Sequence, residues 1–378
     1  RIDGSVSRSR STPSASWGMG RERAWSLSRP KRVLTPHMHS KLLYFLGQSR
    51  WDDRAVRLEA ARYAIETAES KEPVTTWIVD DTGFLKQGTH SVGVHRQYTG
   101  SAGKVTNCQV AVSLAVATAS EQIPIDFELY LPEAWTSDPA LREEARVPTD
   151  VVFKTKIELA IDMIARASAA HIPGDVVLAD SAYGSSSEFR AALRVMDFDF
   201  AVGVTPQLGV SLLEDDGTSG PASSALELVR LLGPSAFRKV TWRSGTKTEL
   251  SSRFSFVRVK TTQDDGVAME QREPYWLVAE WPEGEKQPTH FFLTTLPRRM
   301  SHKQIVRIIK ERWRTERMYE DLKGELGLDH FEGRSFPGWH HHISVVLCCY
   351  AFVSAERARA FPPTEGRKSP NRQVQRAA

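Results

Sequence analysis

Two short apolar runs stand out along the chain, and each closes on an acid. Val74-Thr-Thr-Trp-Ile-Val79 leads into Asp80-Asp81-Thr82-Gly83, and Asp175-Val-Val-Leu-Ala-Asp180 leads into Ser181-Ala-Tyr-Gly184. Runs of this length, rich in β-branched residues and without polar alternation, predict strands buried on both faces, as in a parallel sheet. Between them, residues 91–98 and 107–117 flank the glycine-rich turn Thr99-Gly-Ser-Ala-Gly103, which predicts a hairpin, and residues 123–131 predict a further strand. Residues 148–170 carry Val152, Ile157, Leu159, Ala160, Met163 and Ile164 at helical spacing. After Asp180 come an expected helix over 186–195 and a strand over 198–204. From 205 to 297 the pattern changes to strand-like pieces (238–242, 253–260, 275–280, 290–295) parted by Gly-, Asp- and Pro-rich turns, a mostly β insertion. A long helix from about Lys303 and a second over about 340–360 close the pattern.

The ends differ from the middle. Residues 41–47 and 51–64 predict two short helices, the second capped by Asp52 or Asp53. Arg1 to about Pro36 is rich in Ser, Arg and Pro without hydrophobic period, and the tail from Phe361 is similar. The expected division is a disordered or non-native segment over 1–39 and a small helical unit over 40–72. The first part of the core follows over 73–204, then the β insertion over 205–297. The closing helices span 298–360, and a disordered tail spans 361–378.

Composition adds limits. With 378 residues, 40% hydrophobic and 25% charged, the chain is of the globular type and long enough for more than one structural unit. The net charge of +4 says little about partners, but its distribution says more. Residues 1–50 carry a net +8 and residues 301–378 a net +5, which leaves about −9 for the middle. Basic flanks around an acidic centre suit a protein that grips a polyanion and gathers carboxylates where metals sit. Cys108, Cys348 and Cys349 offer neither a disulfide framework nor zinc spacing, which fits a reducing cytoplasm, and Cys348 and Cys349 are expected as buried packing. No membrane span or signal peptide is expected.

The candidate chemistry lies where these strands end and on the first closing helix. On a helix, Arg312, Glu316 and Lys323 fall at i−4, i and i+7, within roughly 40° of one another. An acid flanked by two fixed cations suits metal-dependent work on a phosphate backbone, although an ordinary solvated helix face carries such pairs too. A strand, a hairpin, a helix, a strand ending in Asp and a late helix with Glu form the order expected of an RNase H-like mixed sheet. The fold expected is therefore α/β, an RNase H-like core with a β insertion between the second Asp and the Glu helix.

Five blocks in order closely resemble bacterial insertion-sequence transposases of the DDE superfamily. They are Val79-Asp-Asp-Thr-Gly-Phe84, Ser91-Val-Gly-Val-His-Arg-Gln-Tyr-Thr-Gly100, Asn107-Cys-Gln-Val-Ala-Val, Leu178-Ala-Asp-Ser-Ala-Tyr-Gly184 and the stretch from Arg312 to Arg334. The resemblance implies Asp81, Asp180 and Glu316 as catalytic acids and metal ligands. It implies Arg312 and Lys323 as DNA-binding members of a Tyr-Arg-Glu-Lys signature, whose Tyr position holds Ile309 here. It further implies two Mg²⁺ ions (with Mn²⁺ able to substitute), double-stranded DNA at element ends and target, a dimer on DNA, and a cytoplasmic, nucleoid-associated protein. An oxygen-only ligand set suits Mg²⁺, and two ions serve both the attacking and the leaving oxygen of a phosphodiester.

Competitors are named by the same residues. Asp80 rivals Asp81 as the first acid, and Glu311, Glu320 and Glu325 rival Glu316. His340-His341-His342 on a helix point about 100° apart, so packing or DNA contact is expected rather than one shared ion. Trp242, Trp276 and Trp281 are expected in the core, with base stacking as the alternative. A truncated, inactive DNA-binding remnant or inhibitor is the rival function, motivated by the absent initiating Met, and a cellular RNase H-like nuclease is a third.

Overall fold

The computed structural model describes residues 36–47, 49–244, 249–263 and 271–360. The chain divides into two units, residues 1–45 and 46–378. The expectations for the first 35 residues and for the tail from 361 lie outside the described residues. In the first unit the described part belongs to helix α1 (Pro36–Gly47), whose Leu42, Leu43, Tyr44 and Phe45 are exposed.

The second unit is a mixed α/β structure built on one large sheet. Helix α2 (Asp53–Glu69) starts where Asp52 accepts a hydrogen bond from the Ala55 amide, 3.0 Å away. Strands β1 (Thr76–Leu85), β2 (His95–Thr99), β3 (Lys104–Ala117) and β4 (Gln122–Tyr130) follow, with β1, β2 and β4 each paired antiparallel to β3. The short helices α3 (Glu133–Ser137) and α4 (Pro139–Glu144) precede α5 (Lys156–Ala169), which opens on a capping box between Thr155 and Glu158. Strand β5 (Val176–Ala179) pairs parallel with β1, and β6 (Asp199–Val204) pairs parallel with β5. Between those two strands lie α6 (Ser181–Gly184) and α7 (Ser187–Val195). The central order β4-β3-β1-β5-β6 thus has one antiparallel half and one parallel half, a mixed α/β sheet.

The region expected as an insertion extends this sheet instead of folding apart from it. It holds β7 (Gly209–Leu213), β8 (Ser219–Ser224), α8 (Ala225–Leu232), β9 (Arg238–Ser244), β10 (Glu249–Thr261), β11 (Tyr275–Trp281) and β12 (His290–Thr294). Beyond β6 the order runs β12-β11-β10-β7-β8, with β9 also paired to β10, so twelve described strands share one sheet.

The helix expected from Lys303 to Lys323 is broken. It runs as α9 (His302–Lys310), a 3-10 turn (Glu311–Trp313) and α10 (Arg314–Gly324). Helix α11 (Phe336–Ala360) follows. Helices α2, α5 and α7 pack on one face with Trp77, Val79 and Val177, while α9 packs on the other with Ile78, Leu178 and Ala201. Strand alternation explains the split, because neighbouring residues of β1 point to opposite faces.

The expected burial of Cys348 and Cys349 is corrected, whereas the departure read at Ile309 stands. Cys349 is exposed and Cys348 only partly buried on α11, since the apolar run there covers more than the buried face and leaves Phe352 and Val353 in solvent. Ile309 is buried in the core under the sheet and offers no polar group at the signature's Tyr position.

Candidate active site

The β1–β5 register sets the site. Ile78 lies opposite Leu178, so two residues further on Asp80 comes alongside Asp180, where β5 ends. Asp180 caps α6, and its Oδ1 accepts from the Ala182 amide at 2.9 Å, which fixes the carboxylate. Close packing makes this turn feasible. A Cβ on Gly184 would stand 2.0 Å from the Gly203 carbonyl oxygen, and one on Gly203 would stand 2.9 Å from the Ser181 nitrogen. Only two glycines let α6 settle against β6 and hold Asp180 at the strand end.

The adjacent acids of β1 turn opposite ways. Asp80 Oδ2 receives Arg312 Nη1 at 2.6 Å, on the side of α9 and α10. Asp81 Oδ2 receives Lys156 Nζ of α5 at 2.7 Å, on the side of α5. Burial pushes the Asp80 carboxyl up to about 7 against the pull of Arg312, and Asp180 and Asp81 push it the same way. Arg312 pairs with Asp80 and Lys156 with Asp81, while Asp180 is held by the α6 amides and has no ion pair among the described residues, so this end of the sheet is one positive charge short.

Helix α10 lies across β1 and presents a single polar face. Arg312, just before the helix, meets Asp80; Tyr319 shares a 2.5 Å hydrogen bond with Ser113, which pairs with Asp80 in the β1–β3 register. Lys323 Nζ donates to the Gly83 carbonyl at 2.8 Å and to Ser101 Oγ at 3.2 Å, and burial lowers its pKa. Glu316 lies in the first turn of α10, seven residues before Lys323, and is exposed. The structure thus gathers Asp80, Asp180, Arg312 and Lys323 on the α10 side of β1, turns Asp81 to the α5 side, and leaves Glu316 exposed on α10. Among the described residues, no group of three or more His, Cys, Asp or Glu side chains stands at metal-binding spacing. The donor chemistry nevertheless fits a hard divalent ion, since the convergent acids supply only oxygen and exceed the local positive charge.

Sequence reasoning did not reach Lys156, Tyr319 or Ser101. Tyr319 was accessible in principle, because i+3 from Glu316 falls on the same helical face. Lys156 lies 75 residues from Asp81 and meets it only through the packing of α5.

The other candidates have structural occupations. His340 is buried 3.7 Å from Asp53, His341 stacks on Trp51 with ring centroids 4.0 Å apart, and His342 Nε2 lies 3.0 Å from the Gly327 carbonyl. They diverge, as helix geometry requires. Trp242 packs edge-on to Phe254, Trp276 to Phe256, and Trp281 to Phe237. Glu311 pairs with Arg314 at 2.7 Å.

A family model described as DDE superfamily endonuclease matches residues 23–249, a span that includes Asp80, Asp81 and Asp180 and stops short of Glu316. This chain belongs to the DDE superfamily endonucleases. Within that class, it is 24% identical over 309 residues to the probable transposase for insertion sequence element IS701 of Microchaete diplosiphon, covering 82% of this chain and 72% of that one. Among solved structures, the NurA nuclease from Sulfolobus solfataricus aligns over 86% of this chain and 98% of its own at 11% identity. Its TM-score of 0.25 is too low to bear on fold or chemistry. No described helix is long and apolar enough to cross a membrane.

Proposed function

We propose that this chain is a DNA transposase of the insertion-sequence type, which hydrolyses phosphodiesters at element ends and joins the freed ends to target DNA. The observation that carries this reading is the alignment of Asp80 with Asp180, with Arg312 held on Asp80 and Lys323 of α10 held on Gly83 beside them. Family membership and the likeness to an insertion-sequence transposase support it.

Asp180, Glu316 and one acid of β1 would hold divalent ions, Mg²⁺ by donor type. The resemblance assigns the first acid to Asp81. The geometry favours Asp80, whose carboxylate shares a face with Asp180 and Arg312 while that of Asp81 is turned to Lys156. When bound, two such ions activate the attacking oxygen and stabilise the leaving one. The chain's own groups do the positioning. Amides of α6 fix Asp180, and Arg312 holds Asp80. Lys323, tied to Gly83 and Ser101, places a cation where a flanking phosphate would lie. In the first step water attacks phosphorus in line and a 3′-oxygen leaves as the hydroxyl. In the second that hydroxyl attacks a target phosphodiester, and a target 3′-oxygen leaves.

Element-end DNA incubated with Mg²⁺ tests the reading. The wild-type chain is expected to release 3′-hydroxyl ends, and Asp180→Asn to bind without cutting. Equal cleavage by both would remove the assigned acid, and binding without cleavage by the wild type would favour the inactive-remnant reading. A dimer on DNA and nucleoid association belong to this proposal and follow from the family resemblance.

A further inference from the structure

At the end of the sheet away from Asp180, three arginines from three segments surround one cavity. Thr295, just past β12, donates its amide to the Phe200 carbonyl at 3.1 Å, which sets this corner at the start of β6, whereas Asp180 lies level with its far end. The cavity is ≈ 320 Å³ and is lined by Arg194 of α7, Arg258 of β10 and Arg298 after β12, with Glu273 its one carboxylate among the described residues. A water occupies about 30 Å³ in the liquid, so there is room for an anion with part of its hydration shell.

The guanidinium groups are held in place before any ligand arrives. The Arg194 guanidinium lies 4.6 Å from the Tyr275 ring centroid, and the Arg258 guanidinium lies 5.1 Å from that of Trp276. Such stacking fixes the plane of the fork and leaves its edge free to donate. Arg194 is ion-paired to Glu273, and Arg258 Nη2 donates to the Pro274 carbonyl at 3.1 Å. Yet Arg258 Nε and Arg194 Nη2 are buried with no hydrogen-bond partner among the described residues. A buried guanidinium N–H without an acceptor is costly, and three like charges with one carboxylate between them add to that cost. Burial, with Arg298 and Arg194 adding to it, lowers the Arg258 pKa, the direction expected where anionic charge is lacking.

We propose that this cavity is a phosphate-binding site, filled by a backbone phosphate of DNA that the enzyme holds at the opposite end of the sheet from its carboxylates. The inference rests on the reading of the chain as a DNA-processing enzyme. A tetrahedral phosphate has oxygens for donors converging from several directions, and the fork of Arg favours it. Arg298 is exposed at the rim, where a phosphate still attached to a polymer can reach it.

The test is binding of the full chain to a fluorescent duplex of arbitrary sequence over a range of KCl concentrations, since phosphate contacts carry no sequence information. The double variant Arg258→Gln/Arg298→Gln should lower the slope of log K against log salt by about 0.9, one phosphate's worth, and weaken binding roughly threefold to tenfold. Single-turnover cleavage at saturating DNA should stay at the wild-type rate. Because Arg258 is partly buried, the exposed Arg298→Glu serves as a second variant, with Arg298→Lys expected to retain most of the slope. Wild-type slope and affinity in both Arg258→Gln/Arg298→Gln and Arg298→Glu would overturn the site while leaving the transposase reading intact. A wild-type chain that binds no DNA at all would overturn both. If inorganic phosphate raised the melting temperature of wild type over the double variant while the salt slopes stayed equal, the ligand would be free phosphate and the DNA occupant would be wrong.

Discussion

At the end of the sheet where β5 finishes, carboxylates exceed cations. At the other end, around Arg194, Arg258 and Arg298, cations exceed carboxylates. A third cluster, away from both, is balanced: Arg54, Arg57 and Arg166 meet Asp53, Asp126 and Glu128 across α2, β4 and α5, with Arg57 Nε 2.9 Å from Asp126 and Arg166 Nη2 2.7 Å from Glu128. Buried charge that serves structure is matched within the chain, because an unmatched partner costs several kcal/mol, on the order of 3–5. The two unmatched ends are therefore where external charge is expected, a divalent cation at one and a phosphate at the other.

The largest effect expected from breaking this contrast is at the carboxylates. Glu316→Ala or Asp180→Asn should lower cleavage by on the order of 10³-fold or more, with DNA affinity near wild type. Sharpening it, Asp80→Asn should lose as much as Asp180→Asn, while Asp81→Asn, which frees Lys156, should lose only about tenfold. The reverse order would return the first acid to Asp81. Gly184→Ala, which drives a methyl into the Gly203 carbonyl, should cost about 1–3 kcal/mol of stability by denaturant unfolding and displace the turn that fixes Asp180. At the opposite end, the arginine variants should cost no more than about tenfold in affinity.

The balanced cluster supplies the smallest effect and a control. His340 is packed against it, and burial, with Arg57 adding to it, lowers its pKa to about 3. The unfolded chain takes up this proton near pH 6.5 and the folded chain does not until near 3, so stability should fall as pH drops through that window and be fully present above it. The slope is about 1.4 kcal/mol per pH unit at most, and His340→Gln should flatten it in unfolding measured from pH 7 to 5.

Much of this was legible in the chain. Val74–Val79 and Val176–Ala179 were readable as buried strands because both faces are covered and polar alternation is absent. The capped start of α2 and the strands β9 to β12 were readable from local chemistry, whereas the helix expected over 148–170 begins only at Lys156, where Thr155 caps it, and β7 was not expected. Strand β8, Ser-Gly-Pro-Ala-Ser-Ser, was not, since its residues have little strand propensity and it exists through pairing with β7. The 3-10 turn at Glu311–Trp313 was hidden because apolar spacing continues through it, although it leaves Trp313 46% exposed beside Arg243. Asp80 and Asp81 were legible only as rivals for one role, because which of the two meets Arg312 depends on packing that only the folded chain supplies. The arginine cavity was beyond sequence, because its three residues lie 64 and 40 positions apart.

The central claim is that acids aligned by the β1–β5 register and overlaid by α10 cut DNA with divalent ions. Its most direct test is cleavage of element-end DNA by the wild-type chain and by Glu316→Ala, each with Mg²⁺ and with EDTA. The expected result is 3′-hydroxyl ends from the wild type in Mg²⁺ and from neither protein otherwise. Cleavage by Glu316→Ala at the wild-type rate, or by the wild type in EDTA, would contradict it.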